Sequence, residues 1–160
     1  MKRIFALLLA LMLVFSLVGC VPTEAPATES PTVESVNTEP SFEEIVVVDN
    51  EYVAVFITSK PYVSDGYGQM IDIRLENKSS TDVQFVIDYI AANGSMMNAP
   101  FQSIVFEGKV DNNTIVFLDS DLNDNNIVEI TEIEFALDVY DTETYAECFV
   151  SDVYTVIFTD

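Results

Sequence analysis

The stretch from Ile71 to Glu76 reads Ile-Asp-Ile-Arg-Leu-Glu, and its apolar residues alternate with charged residues without a break. Successive side chains of a β-strand point to opposite faces, so this period of two predicts a strand with one buried and one solvent-facing side. The turn-forming run Asn77-Lys78-Ser79-Ser80 follows it. The next segment repeats the alternation with the apolar residues Val83, Phe85, Ile87 and Tyr89. We therefore expect two consecutive strands joined by a turn.

The same pattern continues toward the C-terminus. Ile133, Phe135, Leu137 and Val139 alternate with Glu132, Glu134, Ala136 and Asp138, and the last run places Tyr154, Val156 and Phe158 on one face. Further strands are predicted at 45–48, 52–58, 102–106, 114–118 and 146–150. Asn93-Gly94 is typical of a two-residue hairpin turn because both positions tolerate positive φ. Seven to nine short strands predict an all-β fold, an antiparallel β-sandwich, over residues 45–160.

Composition excludes several classes of protein. The chain has 160 residues, with six Lys and Arg against 27 Asp and Glu, no His and two Cys, and its formal net charge is −21. Without His there is no Ser-His-Asp or Cys-His catalytic system and no imidazole metal site. A nucleic-acid binder needs a surplus of basic residues, so nucleic acid is excluded as a partner.

The N-terminal twenty residues predict export. Lys2 and Arg3 precede the uncharged run 4–18, which is the layout of a secretory signal and is short for a membrane-spanning helix of about 20 residues. Leu17-Val18-Gly19-Cys20 resembles the lipobox of bacterial lipoproteins. That resemblance implies that residues 1–19 are a removable signal peptide and that Cys20 carries diacylglycerol and acyl chains such as palmitate. Two or more chains anchor a protein stably. A plain secretory signal and a retained signal anchor are the alternatives.

Residues 20–44 are predicted to be a disordered tether, because they are rich in Thr, Ser, Pro and Glu and poor in large apolar residues. Removal of residues 1–19 leaves four basic and 27 acidic residues, a formal charge of −23. A flexible coil of this length would hold the domain on the order of 25 to 30 Å from the membrane.

One acidic stretch has the spacing of a calcium-binding loop. Counted from Asp121, Asn123 and Asn125 occupy positions three and five, and Glu132 occupies position twelve. Oxygen ligands at these positions encircle Ca²⁺ in such loops. Position six usually holds Gly for a sharp turn, and here it holds Asn126. No amphipathic helix flanks the stretch.

The second interpretation of residues 119–126 needs no metal. It predicts a single helical turn, capped by Asp119 or Ser120 and ended by Asn126 in the left-handed conformation. The chain would then enter a strand that starts near Val128.

Three other features have a functional and a structural interpretation. Tyr62 and Tyr67 flank the flexible segment 61–69 and could present aromatic rings to a sugar or peptide, or simply be partly packed in an ordinary loop. Cys148 is predicted to be a buried or semi-buried packing residue, because so acidic a chain disfavours a thiolate. The composition allows a pair of carboxylates that would act as acid and base, as in glycosidases, but no residue is predicted to be catalytic.

From Val46 to Asp160 the chain resembles an uncharacterised immunoglobulin-like domain of secreted and lipid-anchored proteins of Gram-positive bacteria. The resemblance rests on the motifs Val48 to Val53, Leu75 to Lys78, Asn93-Gly94, Ser120 to Leu122 and Ile133 to Asp141. The chain departs from the pattern at Asn126, where Gly is usual, and in having no Trp. The resemblance implies an immunoglobulin-like sandwich and no established activity.

Taken together, these features predict a lipid-anchored lipoprotein on the outer face of a bacterial cytoplasmic membrane, with its domain outside the cell. We expect a non-enzymatic binding or accessory module that contacts the membrane through its lipid and meets an unknown envelope protein or glycan. No cofactor is expected besides the acyl chains on Cys20. The first alternative is a calcium-binding domain, and the second is a carboxylate-dependent envelope hydrolase.

Overall fold

The computed structural model describes residues 42–159, which form eleven strands and one short helix. The predicted signal peptide, Cys20 and most of the predicted tether lie outside the described residues. In chain order the elements are β1 (Ile45–Asp49), β2 (Val53–Ile57), β3 (Tyr62–Ser64), β4 (Gly68–Asn77), β5 (Val83–Ala92), β6 (Ser95–Met96), β7 (Phe101–Val105), β8 (Val110–Leu118), α1 (Asp119–Asp124), β9 (Glu132–Asp141), β10 (Glu147–Val150) and β11 (Tyr154–Ile157).

The strands make two antiparallel sheets. In the first, β2 and β3 pair with one side of β4, β1 lies outside β2, and β8 pairs with the other side of β4. In the second, β9 and β5 are central, with β10 and β11 beyond β9, and β7 and β6 beyond β5. The prediction of an antiparallel, sandwich-like all-β fold is confirmed. The strands number eleven rather than seven to nine, mainly because the short β3 and β6 carry no alternation that the sequence could reveal.

Both sheets contribute to one hydrophobic core. The predicted inward residues of β4 and β9 are all buried: Ile71, Ile73, Leu75, Ile133, Phe135, Leu137 and Val139. The largest fully buried side chains include Phe85, Phe117 and Phe135. The residues of this core cluster lie between Val53 and Val156, so the folded unit carries its own core. Cys148 is half-buried and packs against that core, as predicted, and its thiol is free.

The predicted alternation of β5 fails at its second half. A β-bulge against β9, between Ile87 and Tyr89, shifts the phase, so Ile90 is buried and Tyr89 lies on the outer face. There its hydroxyl donates to Glu134 over 3.2 Å. On the same face the Tyr140 hydroxyl donates to Asp138 over 3.1 Å, so these two carboxylates of β9 are bonded to tyrosines.

The segment 61–69 is a β-hairpin, and its prediction as a flexible loop is wrong. Tyr62 is paired with Met70 and Ser64 with Gly68. Gly66 and Gly68 have φ values of 84° and 125°, which only glycine adopts readily, so the chain turns tightly between β3 and β4. By contrast, the hairpin predicted at Asn93-Gly94 is confirmed, with φ values of 48° and 78° between β5 and β6.

The short helix α1 ends as predicted and begins differently. Asn126 has φ 57°, its N–H donates to the Asn123 carbonyl, and the Ile127 N–H donates to the Leu122 carbonyl over 2.8 Å. These two bonds make a Schellman motif. The predicted cap at Asp119 or Ser120 is wrong, because the N-cap is Leu118 and no side chain caps the helix. The following strand begins at Glu132 rather than near Val128, because the intervening loop is held by the side chains of Gln69 in β4 and Asn93 in the β5–β6 turn.

The folded domain includes the last residues assigned to the tether. Phe42 packs against the core, and Glu44 forms an ion pair of 2.6 Å with Arg74 of β4. The guanidinium of Arg74 also lies 3.9 Å from the centre of the Phe56 ring. The domain therefore extends at least to Phe42 on its N-terminal side.

A tight turn after β9 predicts a pH-dependent stability. The Asp141 carboxylate accepts hydrogen bonds from the N–H of Thr144, the Thr144 hydroxyl and the N–H of Glu143, and these bonds lower the pKa of Asp141 from 3.8 to about 2. A lowered folded-state pKa stabilises the fold above pH 3.8 and loses that contribution as the pH falls toward 2. We expect Asp141→Asn to weaken this acid dependence, measured by urea unfolding between pH 2 and 6. Asp65→Asn, an exposed residue in the β3–β4 turn, should leave it unchanged.

Candidate binding groove

A groove lies at one end of the sandwich, between β3 and the segment that follows α1. Its volume is about 390 Å³. Val63 of β3 and Val128 of the segment line it together with polar residues, which are Gln69, Asp119, Asn123 and Asn126. We call this cavity the loop-end groove. It joins two regions that the sequence analysis treated separately, the segment 61–69, which was predicted to be a flexible loop, and the acidic stretch 119–126.

Gln69 fixes one wall of the loop-end groove. Its side chain is buried at the start of β4, its Nε2 donates to the Val128 carbonyl over 3.0 Å, and its Oε1 accepts from the Ile130 N–H over 2.9 Å. A buried amide that uses both of its ends ties the backbone of the loop to the first sheet. Residues about 60 positions apart in sequence are thereby held together.

Asn93 fixes the same loop from the second sheet. Its Oδ1 accepts from the N–H groups of Thr131 and Glu132, and its Nδ2 donates to the Glu129 carbonyl over 2.8 Å. Asn93 is therefore more than a turn residue, because it closes the end of the sandwich. The loop 127–131 is anchored on both sides without a regular strand or helix.

The close approach of β4 and β8 positions the helix beside the groove. The Asp119 N–H donates to the Tyr67 carbonyl over 3.1 Å, and Gly68 is paired with Leu118. A Cβ added at Gly68 would lie 2.7 Å from the Asp119 backbone nitrogen and closer still to the Phe117 carbonyl oxygen. Glycine is therefore the residue that permits this arrangement.

Apolar side chains stand exposed on either side of the groove. Val63 is 77% exposed and Val128 is 93% exposed, although the backbone at Val128 is held by Gln69. Tyr67, in the adjacent turn, is 60% exposed. A preorganised loop that displays an apolar side chain loses little conformational entropy on binding. With amide and carboxylate groups between them, these walls suit a ligand that has apolar and hydrogen-bonding surfaces.

The two predicted binding tyrosines occupy different surfaces. Tyr67 lies in the turn beside the groove. Tyr62 lies on β3, where its hydroxyl donates to Asp72 Oδ1 over 2.8 Å, and this bond raises the pKa of Tyr62 above its ordinary value. Tyr62 alternates with Val63 along the strand, so it faces away from the loop-end groove.

The four residues predicted to bind calcium have other contacts. Asp121 Oδ2 accepts from the Asn98 N–H over 2.6 Å, and Asn125 Nδ2 donates to the Asp121 carbonyl. Asn123 lines the loop-end groove, while Glu132 begins β9 and pairs with Ile157. Within residues 42–159, no three His, Cys, Asp or Glu side chains are grouped so that they could hold a metal ion. The calcium site stays a prediction, which titration of the protein with Ca²⁺ tests.

Asp121→Ala separates the two interpretations of the acidic stretch. The hydrogen bond from Asn98 makes Asp121 a structural residue, so its loss should lower the free energy of unfolding by about 1 kcal/mol, equally in EDTA and in millimolar Ca²⁺. Asp124→Ala, on the exposed end of the same helix, is the control. Calcium binding predicts instead that Ca²⁺ raises the melting temperature of the unaltered protein and that Asp121→Ala removes the rise.

The described residues form a mostly-β domain with two antiparallel sheets and a groove at one end. Comparison of the chain with models of known protein families and with curated proteins finds no match. In the part of the chain that the structure describes, no helix has the length and apolar character needed to cross a membrane.

Of the residues that line the groove, the sequence singled out Asn123 as a candidate ligand and missed Val63, Gln69 and Val128. Val63 and Val128 look like ordinary apolar residues in sequence, and nothing local marks them as exposed. Gln69 offered a weak signal, because an amide precedes the alternating run of β4 on its buried face. Its partners lie far along the chain, so that signal gave no location for the groove.

Proposed function

We propose that the protein is a lipid-anchored binding module on the outer face of a bacterial cytoplasmic membrane, and that the loop-end groove contacts an envelope protein or glycan. In this proposal acylated Cys20 supplies the anchor, residues 21–41 supply the reach, and an immunoglobulin-like domain supplies the contact surface. The lipobox resemblance at Leu17 to Cys20 supports the anchor. The presence of two antiparallel sheets in the described residues is compatible with an immunoglobulin-like arrangement.

One observation carries the binding role: the rigid display of Val128. Gln69 and Asn93 hold the loop 127–131 through five hydrogen bonds to its backbone and to that of Glu132, yet the Val128 side chain is 93% exposed. The bonds fix the backbone that carries this side chain, so Val128 stands at a set position on the groove wall. Burial of a valine side chain against a ligand contributes about 1.5 kcal/mol or more.

The anchor is tested in a Gram-positive host with the full chain. We expect the unaltered protein to incorporate an alkyne-labelled fatty acid and to sediment with membranes. Cys20→Ala should abolish the label and should shift the protein out of the detergent phase on phase partitioning. A label that survives Cys20→Ala would contradict the anchor.

The groove is tested with residues 21–160, which keep the tether and lack only the signal and the acylated cysteine. Purified cell walls and detergent-solubilised membrane proteins are offered separately, so that glycan and protein ligands are distinguished. We expect Val128→Ser to weaken the observed binding about tenfold while stability changes by less than about 0.5 kcal/mol.

Val153→Ser is the matched control, since Val153 is 54% exposed and does not line the groove. Equal effects of the two substitutions would mean that general surface hydrophobicity, and not the loop-end groove, accounts for the binding.

A further inference from the structure

The strand β8 is an open edge of the first sheet. Its nine residues make it the longest edge strand among residues 42–159, and it pairs with β4 from Val110 to Leu118 without a bulge. On its other side it pairs with no strand of the described residues. A long regular edge of this kind is a template for an added strand.

The hydrogen bonds at the two ends of the ladder show which backbone groups face outward. The Asn77 N–H donates to the Lys109 carbonyl, and the Asp119 N–H donates to the Tyr67 carbonyl. In an antiparallel ladder the bonded residues alternate, so the odd-numbered residues of β8 bond to β4. The N–H and C=O groups of the even-numbered residues point away from it: Val110, Asn112, Thr114, Val116 and Leu118. The Thr114 N–H is held by Asn113 Oδ1 over 2.8 Å.

β8 lacks the devices that usually protect an edge. Its sequence, Val-Asp-Asn-Asn-Thr-Ile-Val-Phe-Leu, contains no Lys, no Arg and no Pro, and Asp111 is its one charged residue. The edges formed by β1 and β10 differ, because both strands are short and both pair through an irregular register. The remaining edge strands β3, β6, β7 and β11 have two to five residues each, so the second half of β8 belongs to the longest edge in the described domain.

The side chains beside this edge indicate what would pair with it. On the outer face Tyr62, Met70 and Val116 lie in one row of neighbouring strands, which an apolar side chain on an added strand would continue. In the next row Asp72 Oδ1 accepts from the Thr114 hydroxyl over 2.9 Å. A Lys or Arg opposite Thr114 could reach this carboxylate. An added strand that presents an apolar residue opposite Val116 and a basic residue opposite Thr114 would therefore match these two rows.

Charge decides between a second copy and a different partner. Residues 42–159 contain 22 Asp and Glu against four Lys and Arg, a formal charge of −18. Like charge opposes the pairing of two copies through β8, whereas a basic segment is attracted. We propose that the β8 edge binds an extended, Lys- or Arg-containing segment of a partner protein by strand addition. This inference is independent of the loop-end groove.

The first test is hydrogen exchange by NMR on residues 21–160, with the synthetic peptide Val-Thr-Val-Thr-Lys-Thr-Lys as the probe. Aligned antiparallel, its valines face Leu118 and Val116, and its first lysine faces Thr114. Before the peptide is added, we expect the amides of Ile115 and Phe117 to be protected and those of Val116 and Leu118 to exchange rapidly. Saturation with the peptide should slow the exchange at Val116 and Leu118 by at least about tenfold.

The second test uses Val116→Pro, which removes one outward N–H and leaves the bonds of β8 to β4 in place. We expect this substitution to weaken peptide binding at least about tenfold, while Val116→Thr, which keeps the N–H, changes it less than about threefold. A peptide with Glu in place of Lys should fail to bind, and added NaCl should weaken the binding of the basic peptide.

The outcomes are separable. Binding of the peptide with unchanged exchange at Val116 and Leu118 would overturn the proposal, and so would unchanged binding by a folded Val116→Pro. Self-association through these amides at low salt would show that a second copy is the occupant. Protection in residues 21–160 without peptide, absent from residues 42–160, would show that the chain's own tether occupies the edge. Each of these results rejects a basic partner segment and leaves the groove proposal untouched.

Discussion

Gly68→Ala should lower the free energy of unfolding by about 4 kcal/mol, measured by urea denaturation of residues 21–160. Gly68 has φ 125°, a conformation that costs an alanine about 1 to 3 kcal/mol. Its new Cβ would also collide with the Phe117 carbonyl oxygen and the Asp119 nitrogen, which are backbone atoms of the neighbouring strand and helix. β8 must then move away from β4, so the start of α1 and one wall of the loop-end groove should move as well.

Gly66→Ala distinguishes the energetic cost of the backbone conformation from the cost of the close contact between β4 and β8. Gly66 lies two residues earlier in the same turn with φ 84°, and nothing lies within 4 Å of its added Cβ. We expect a loss of about 1 kcal/mol, which is the conformational cost alone. Equal losses for the two substitutions would show that contact between β4 and β8 at Gly68 does not limit stability.

Asn77→Ala should lower the free energy of unfolding by about 3 kcal/mol. Asn77 is 2% exposed, its Nδ2 donates to the carbonyls of Thr81 and Val105, and its Oδ1 accepts from the N–H and hydroxyl of Ser79. Removal of the amide leaves buried carbonyl groups without a donor, and it also releases the turn between β4 and β5.

Asn77→Asp and Asn112→Ala complete the test. The aspartate has nearly the same shape, but its carboxylate faces two carbonyl oxygens, so it should destabilise at least as much as alanine at pH 7 and recover partly at low pH. Asn112 is exposed on β8, and its replacement by alanine should cost less than about 0.5 kcal/mol. A loss at Asn77 no larger than at Asn112 would contradict the structural role of the buried amide.

The sequence predicts strands well where one face is buried along the whole strand. β4 and β9 alternate throughout, and every predicted inward residue from Ile71 to Leu75 and from Ile133 to Val139 is buried. It fails at Tyr89, because a β-bulge depends on the pairing with β9 and leaves no mark in the alternation. Asn126 was predicted correctly, because its left-handed conformation is a local property of a helix end.

The groove could not be predicted for a different reason. The wall that carries Val128 is held by bonds between distant residues, from Gln69 to Val128 and Ile130 and from Asn93 to Glu129. Local periodicity carries no information on which loop a buried amide will meet. The hairpin at Asn93-Gly94 was predicted from its turn residues, whereas the second role of Asn93 followed only from the packing of the two sheets.

The shortage of positive charge also governs how copies of the domain meet one another. Of the four basic residues in 42–159, Arg74 is paired with Glu44 and Glu76, and Lys78 with Asp49. Little positive charge is left to offset the rest, so two domains repel one another at close range. At physiological ionic strength this repulsion decays over about 8 Å. Domains crowded on one surface should therefore behave as charged colloids, whose minimum spacing is set by the surrounding salt.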